Sequence, residues 1–376
     1  MKTEELARGP TRTGACDLSR ARLAHYLEGV HRSRVEVTGI ARLGEPLENA
    51  DLKGYGYGTP LRVEYEVDGR RRTAVLETVN PGPFGHEHMA DRAQTLLWDH
   101  RAFNDLPRHV RSIDVGAFRA DGGLVSLGNV DELFVLMEFA EGQPYADDLV
   151  RLRDGGELED RDVARSLALA DYLAGIHAVP GPDPGLYVRR IRELVGHGEC
   201  IFGLADSYPE RHGFIDAALL ERVEKVCVEW RWRLKRRTER LRQVHGDFHQ
   251  WNLLFREGVD FTVLDRARGE WGEPADDVTS LALNYFFFSL QRSGRLEGAF
   301  EVLWRRFFER YLERTGDLAM LEVAAPFFAF RGLVMASPVW YPKLDESVRR
   351  KLFRFIENVL ATSRFEPERA NAYAEA

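Results

Sequence analysis

The chain has 376 residues, 44% hydrophobic and 30% charged, which is enough apolar sequence to bury a large core in two domains or one bilobal unit. With 52 Lys and Arg against 60 Asp and Glu the formal net charge is -8, so bulk charge indicates no nucleic-acid partner, and a neutral or cationic substrate is easier to accommodate than a polyanion. The three cysteines, Cys16, Cys200 and Cys227, are widely spaced without a C-x-x-C pair, which argues against a zinc knuckle or a disulfide framework and for a reducing compartment.

Residues 17–31 predict a helix, with Asp17 as its cap and Leu18, Ala21, Leu23, Ala24 and Leu27 near helical spacing. Nothing after Met1 to Glu5 resembles an apolar leader and no window approaches a membrane span, so a soluble, cytoplasmic protein is expected. Short strands are predicted over 35–40 and 61–67, the second entering a hairpin through Asp68-Gly69 into 72–77. A helix is predicted from Met89 to Phe103, then a buried strand over Leu133 to Met137. The shift from strand-rich to helix-rich composition puts a lobe boundary near 138–142.

Beyond that boundary, helices are predicted over Asp162 to Ala178, Ala217 to Gln243, and 278–292, 297–315, 319–336 and 345–363. The basic run from Arg231 to Arg242 alternates with Trp232, Leu234 and Leu241, the pattern of a solvated amphipathic face rather than a nucleic-acid patch. There is no internal repeat.

The segment from Val244 to Phe255 contains His245, Asp247 and Asn252 in the spacing H-x-D-x-x-x-x-N, and the short apolar run Phe261 to Leu264 delivers Asp265. Asp and Asn also tie ordinary turns together. The apolar flanks and the strand-terminal Asp favour a phosphoryl-transfer loop, in which Asp247 orients and deprotonates an acceptor hydroxyl while Asn252 and Asp265 hold Mg²⁺.

Residues 245–254 are similar, almost letter for letter, to the H-G-D-x-H-x-x-N-h-h loop of the aminoglycoside phosphotransferase and choline kinase family, relatives of the protein kinases. Glu273 to Val278 fits that family's D-P-x-x-D-h-A segment apart from its first acid, and the resemblance assigns Asp277 to bracing the loop at a helix start. An Asp before Val278 is equally an ordinary N-cap. The resemblance implies an α+β, bilobal protein-kinase-like fold: an N-terminal helical extension over 1–34, a small antiparallel-sheet nucleotide-binding lobe over 35–140, and a larger, mainly helical catalytic and acceptor-binding lobe over 141–376.

It also implies a nucleotide wall in the first lobe. Gly54, Gly56 and Gly58 form a glycine hairpin between two strands, where backbone N–H groups can meet phosphates, although glycines mark plain turns as well. The family's phosphate-binding Lys falls on Glu77, with Val75 on the same strand face lining the adenine pocket. An acid there repels phosphate, so a reversed pair is expected, Arg92 facing the nucleotide and Glu77 orienting it; Lys53 or a nearby Arg is the alternative. The adenine ring is expected against main-chain groups at Glu138 and Phe139. His86 and His88, in a Gly/Pro loop around Glu87, lack further metal ligands and read as a lid or substrate-facing loop.

On the acceptor side, Glu199 and Asp206 in a glycine-punctuated stretch suit an amine-bearing substrate or merely a surface loop, and Trp340-Tyr341 between prolines suits a stacking wall or packing. The leading expectation is a kinase moving the γ-phosphoryl group of ATP or GTP to a small-molecule hydroxyl, with no nucleic-acid or membrane partner. A nucleotide-binding pseudokinase, or a nucleotidyl transferase with the triphosphate turned round, is the alternative that Glu77 motivates.

Overall fold

The computed structural model describes residues 18–43, 58, 60–82, 84–266 and 268–375. The chain divides between Met137 and Glu138 into two compact units. In the first, α1 (Arg20–His31) leads into an antiparallel sheet of β1 (Val35–Arg42), β2 (Leu61–Val67) and β3 (Arg70–Leu76), in that order. Alternation along β2 buries Leu61, Val63, Tyr65 and Val67 and leaves Arg62 and Glu64 outside. Asp68 and Gly69, with φ of 49° and 73°, make the tight reversal that sets Val67 opposite Arg70. Leu23 and Leu27 of α1 share one core with Val35, Val37, Val63 and Tyr65, so this helix packs with the sheet rather than preceding it as a separate piece. The proposed cap Asp17 lies outside the described residues; α1 starts after Ser19.

Helix α2 (Met89–Asp105) begins at His88, whose main-chain N–H donates to Asp91 at 2.7 Å in a capping box. A hairpin of β4 (Gly116–Phe118) and β5 (Leu124–Ser126) is tied to α1 through Asp114, which accepts from Tyr26 at 2.6 Å and from Ser126 at 3.1 Å. The buried strand expected over 133–137 is not formed. That segment has no ladder bonds, and Phe134 and Leu136 are 91% and 90% exposed. An apolar run becomes a buried strand only when a neighbouring backbone pairs with it, and among the described residues β3 pairs with β2 alone.

The second unit opens with β6 (Gln143–Pro144), α3 (Tyr145–Arg153), α4 (Asp160–His177), α5 (Pro184–Gly196) and α6 (Ile201–Ser207). A short pair, β7 (Arg211–His212) and β8 (Ile215–Asp216), precedes α7 (Ala217–Leu234). Then come β9 (Arg242–Gln243), β10 (Leu253–Phe255), β11 (Phe261–Val263), β12 (Trp271–Gly272) and α8 (Pro274–Ser293). The chain finishes with α9 (Gly298–Thr315), α10 (Met320–Val323), α11 (Ala325–Ala336), α12 (Glu346–Leu360) and α13 (Ala370–Glu375). Every residue of α8 from Pro274 to Leu290 is buried, and α11 is buried almost throughout, so these helices are the centre of the unit's core. No helix among the described residues is long and apolar enough to cross a membrane.

The single helix expected over Ala217 to Gln243 ends at Leu234 instead. Tertiary bonds outweigh the helical periodicity there: Arg240 is drawn inward to Glu273 (2.5 and 2.7 Å) and Asp317 (2.8 and 2.9 Å), and β9 pairs with β12.

Candidate active site

Pairing of Gln243 with Trp271 and the bond from Val244 N–H to Glu270 O (2.9 Å) deliver the chain to His245 at the edge of the core. Gly246 then takes φ 86°, and a Cβ there would sit 3.3 Å from both Arg190 and Arg268, so glycine alone fits between the His and the Asp. Phe248 is fully buried and stacks on Tyr172 at 5.7 Å, pinning the far side of the turn. His245 donates through Nε2 to Leu264 O (2.8 Å) and accepts at Nδ1 from Asp247 N–H (3.2 Å), which selects the neutral Nε2–H tautomer.

Asp277 stands behind this turn, fully buried. Its carboxylate accepts from His245 N–H and Gly246 N–H, both at 2.7 Å, and lies 3.1 Å from His177 Nε2. Burial pushes its pKa up, but these donors together with the His177 contact outweigh burial and hold it below the ordinary value of 3.8. Asp277 is not an N-cap. The helix begins four residues earlier than expected, at Pro274, with Glu273 as cap, because Glu273 is fixed by Arg240 and by Tyr187 (2.8 Å).

Asn252 closes a short 3-10 turn and leads into β10, which pairs antiparallel with β11 so that Leu253 faces Val263. Leu264 N–H donates to Asn252 O at 2.8 Å, so the register sets Asn252 and Asp265 at the same end of the hairpin. The connecting turn is clamped by the Arg256–Asp260 ion pair and by Arg165 of α4, which donates to Gly258 O and Arg256 O at 2.9 and 2.8 Å. Asn252 spends Nδ2 on Asp247 O (3.0 Å), which leaves Oδ1 as a free oxygen donor. Asp265 has φ 55°, the left-handed region that Asp tolerates better than most side chains. Among the described residues no group of three or more His, Cys, Asp and Glu side chains is arranged to hold a metal. Asn252 and Asp265 offer the kind of oxygen ligands that a hard cation such as Mg²⁺ takes, with water or phosphate completing its shell.

Asp247 is mostly buried, with Oδ1 2.5 Å from Arg331 Nη1 and 3.5 Å from Arg268 Nη1, and Oδ2 3.6 Å from His249 Nε2. Burial raises the pKa of this carboxyl, yet His249 and the two guanidinium groups overcome it and hold the group well below the usual carboxylate range. Arg331 also donates to Gly246 O (3.0 Å) and Asp276 Oδ1 (3.2 Å), and Arg190 closes the row on Asp276 Oδ2 at 2.9 Å. Sequence reasoning did not include Arg331, Arg268, Arg190 or Asp276 in the site. One signal was present: Arg331 is the lone charge in the apolar helix Ala325 to Ala336, and an isolated cation in such a stretch needs a buried partner.

The residues expected to form the nucleotide wall are described only in part. Gly54, Gly56 and the alternative Lys53 lie outside the described residues. Gly58 lies so close to Thr78 O that a Cβ would meet it at 2.0 Å. The Glu77–Arg92 pair is not formed: Arg92 donates to His86 O and Glu87 O at 2.9 and 3.2 Å, whereas Glu77 is exposed and has no ion-pair partner among the described residues. The loop carbonyls ahead of α2 fold back over Arg92 and satisfy it locally. Val75 is exposed on β3, and Glu138 and Phe139 are exposed at the start of the second unit.

On the acceptor side Glu199 is exposed, 3.9 Å from Arg268 Nε, and Asp206 is within α6. Tyr341 packs edge-on against Phe287 at 5.1 Å while Trp340 projects outward, so the pair is not one stacking wall. The basic run forms the end of α7 and the turn after it, with Lys235 over the Trp232 ring at 3.5 Å.

A model of the phosphotransferase enzyme family matches residues 62–327. No curated protein matches the chain. Among solved structures, the chain is similar to a glucosamine kinase in complex with glucosamine, ADP and inorganic phosphate, at 19% identity and TM-score 0.33 over 61% of this chain and 57% of that one. It is also similar to an amicoumacin kinase in complex with AMP-PNP and Ca²⁺ (14% identity, TM-score 0.40, 88% of this chain and 91% of that one). An ethanolamine kinase from Plasmodium vivax aligns at 12% identity and TM-score 0.32, over 94% of this chain and 86% of that one. The chain spans little more than half the length of the first of these.

Proposed function

Because the chain belongs to the phosphotransferase enzyme family, matched over residues 62–327, we propose that it moves the γ-phosphoryl group of ATP or GTP to a hydroxyl of a small molecule, with Mg²⁺ as the metal. The observation that carries this reading is the join between two ladders. The β9–β12 pair ends at the turn holding Asp247, the β10–β11 pair ends at Asn252 and Asp265, and the bond from Asn252 Nδ2 to Asp247 O ties them together at 3.0 Å. Phosphoryl transfer needs little covalent help from the protein; it needs the acceptor oxygen aimed in line and the charge on the phosphoryl oxygens balanced.

In this reading Asp247 accepts a hydrogen bond from the acceptor hydroxyl, sets its direction, and takes its proton as the bond to phosphorus forms. Asn252 Oδ1 and the Asp265 carboxylate hold the cation. A Mg²⁺ held by these two residues would supply positive charge against the phosphoryl oxygens. His245 and Asp277 keep the turn rigid, because each main-chain N–H of the turn that Asp277 holds is one less freedom for Asp247. On the nucleotide side, the glycines Gly54, Gly56 and Gly58 and the main chain at Glu138 and Phe139 are the groups we assign to phosphates and base.

The test is mass spectrometry of small molecules after incubation with Mg-ATP or Mg-GTP and a panel of amino sugars, amino alcohols and polyols. A product heavier by about 80 mass units is phosphoryl transfer. A gain of about 329 is adenylyl transfer, which would replace this proposal with the nucleotidyl reading. No product and no nucleotide consumption across the panel would leave a binding module.

A further inference from the structure

We propose that Arg331 is the positioning residue of the phosphoryl-transfer turn: it clamps Oδ1 of Asp247 so that Oδ2 is the oxygen presented to the acceptor hydroxyl. This rests on the function proposed above. Three of its contacts define the clamp. One guanidinium nitrogen meets Asp247 Oδ1 at 2.5 Å, and the other meets Gly246 O at 3.0 Å and Asp276 Oδ1 at 3.2 Å. The same side chain thus fixes both the carboxylate and the backbone of the residue before it. A planar fork with two bonded ends sets an orientation in a way a point charge does not.

The clamp is itself rigid. Arg331 is 5% exposed and its guanidinium lies 4.5 Å from the Phe330 ring centroid. Gly332, the next residue, brings α11 so close to α12 that a Cβ would stand 2.7 Å from Ile356. Tyr208 donates to Leu333 O at 2.6 Å, a further tie on the same helix. Behind it Asp276 is shared with Arg190, so Arg331 cannot swing toward a different anion without abandoning a buried carboxylate.

The two oxygens of Asp247 are consequently unequal. Oδ1 faces Arg331 and Arg268, whereas the neighbour of Oδ2 is His249 at 3.6 Å. Trp251 N–H donates to His249 Nδ1 at 3.2 Å, and His249 Nε2, the nitrogen on the side of Oδ2, also stands 3.3 Å from Asn252 Nδ2. An acceptor O–H that approaches Oδ2 meets an oxygen whose lone pairs no guanidinium claims.

A residue that only neutralised Asp276 would tolerate Lys. Arg331→Lys keeps the charge but cannot span Asp247, Gly246 O and Asp276 together. The expected result is a folded variant whose kcat, measured as Mg-ATP turnover with water and with any acceptor the panel yields, falls about a hundredfold at unchanged KM for ATP. In Arg331→Ala, added guanidinium ion should restore part of kcat and ammonium should not. Wild-type kcat in Arg331→Lys would overturn the proposal. Crystal structures of wild type and Arg331→Lys provide the arm independent of turnover: Oδ1 on the guanidinium in the first and a turned Asp247 carboxylate in the second are expected, and the same Asp247 rotamer in both would overturn it. If wild type turns over no nucleotide, the function proposal fails on its own and the crystallographic arm still decides the clamp.

Discussion

Asp277 holds two consecutive main-chain N–H groups, those of His245 and Gly246, with its two oxygens at equal distance, 2.7 Å each. A carboxylate can do this because both its oxygens are acceptors; a carboxamide has only one. The pair of bonds holds the two residues just before Asp247 and converts the buried start of α8 into the support of the loop.

Asp277→Asn should therefore cost both activity and stability. One of the two N–H groups loses its acceptor in a buried site, a loss of about 1–3 kcal/mol in unfolding free energy. Urea unfolding followed by circular dichroism measures it, and a variant as stable as wild type would contradict the bracing role.

The same residue sets a pH dependence. Its folded pKa is depressed below 3.8, so its contribution to stability is fully present above the unfolded value and is lost as pH falls below about 4 toward the folded value. Denaturant midpoints measured from pH 7 down to pH 3 should drop more steeply at the acid end in wild type than in Asp277→Asn. Parallel curves would show that Asp277 does not titrate with unfolding.

Asp247→Asn removes the proposed proton acceptor with little change of side-chain shape. Turnover should fall by about 10²–10⁴ while nucleotide affinity, read by calorimetry, stays near wild type. Full turnover in this variant would exclude Asp247 from the chemistry.

Gly246→Ala tests the turn without touching a functional group. A Cβ at φ 86° is strained by about 1–2 kcal/mol, and at 3.3 Å from Arg190 and Arg268 it crowds the row of charges beside Asp247. A lower melting temperature and a lower kcat together are expected from thermal scans and turnover assays; neither changing would mean the turn is not built as described.

Cys200 and Cys227 are buried thiols without a disulfide partner among the described residues, and burial raises Cys200 to about 11 and Cys227 further still. Since the thiolate is the nucleophile, peptides containing either residue should remain unmodified when the native protein is treated with iodoacetamide at pH 8 and become labelled in urea. Rapid native labelling of Cys227 would show that the α7 face around it opens.

The parts of this molecule legible in its sequence are those set by short-range rules. The Asp68-Gly69 turn fixed the β2–β3 hairpin, and apolar spacing located α2, α4 and α9 to within a few residues. The spacing of His245, Asp247 and Asn252 pointed to a turn that does gather them with Asp277. What the sequence concealed depends on partners far along the chain. The end of α7 is decided by Arg240 reaching Glu273, the start of α8 by Tyr187 and Arg240 holding that same Glu273, and the environment of Asp247 by Arg331, 84 residues away. The run over 133–137 failed for the converse reason, since apolar character was present and a pairing strand was not.

The register of β10 and β11 carries a consequence for how this chain tolerates change. Asn252 and Asp265 come to the same end of the hairpin only because the turn from Arg256 to Asp260 has a set length, locked by an ion pair and gripped by Arg165. A strand shifted by one residue turns every side chain to the opposite face. Surface turns usually absorb insertions, but here one added residue would break the register that places Asn252 and Asp265 at one end of the hairpin, so the length of this outlying turn bears directly on the proposed cation site.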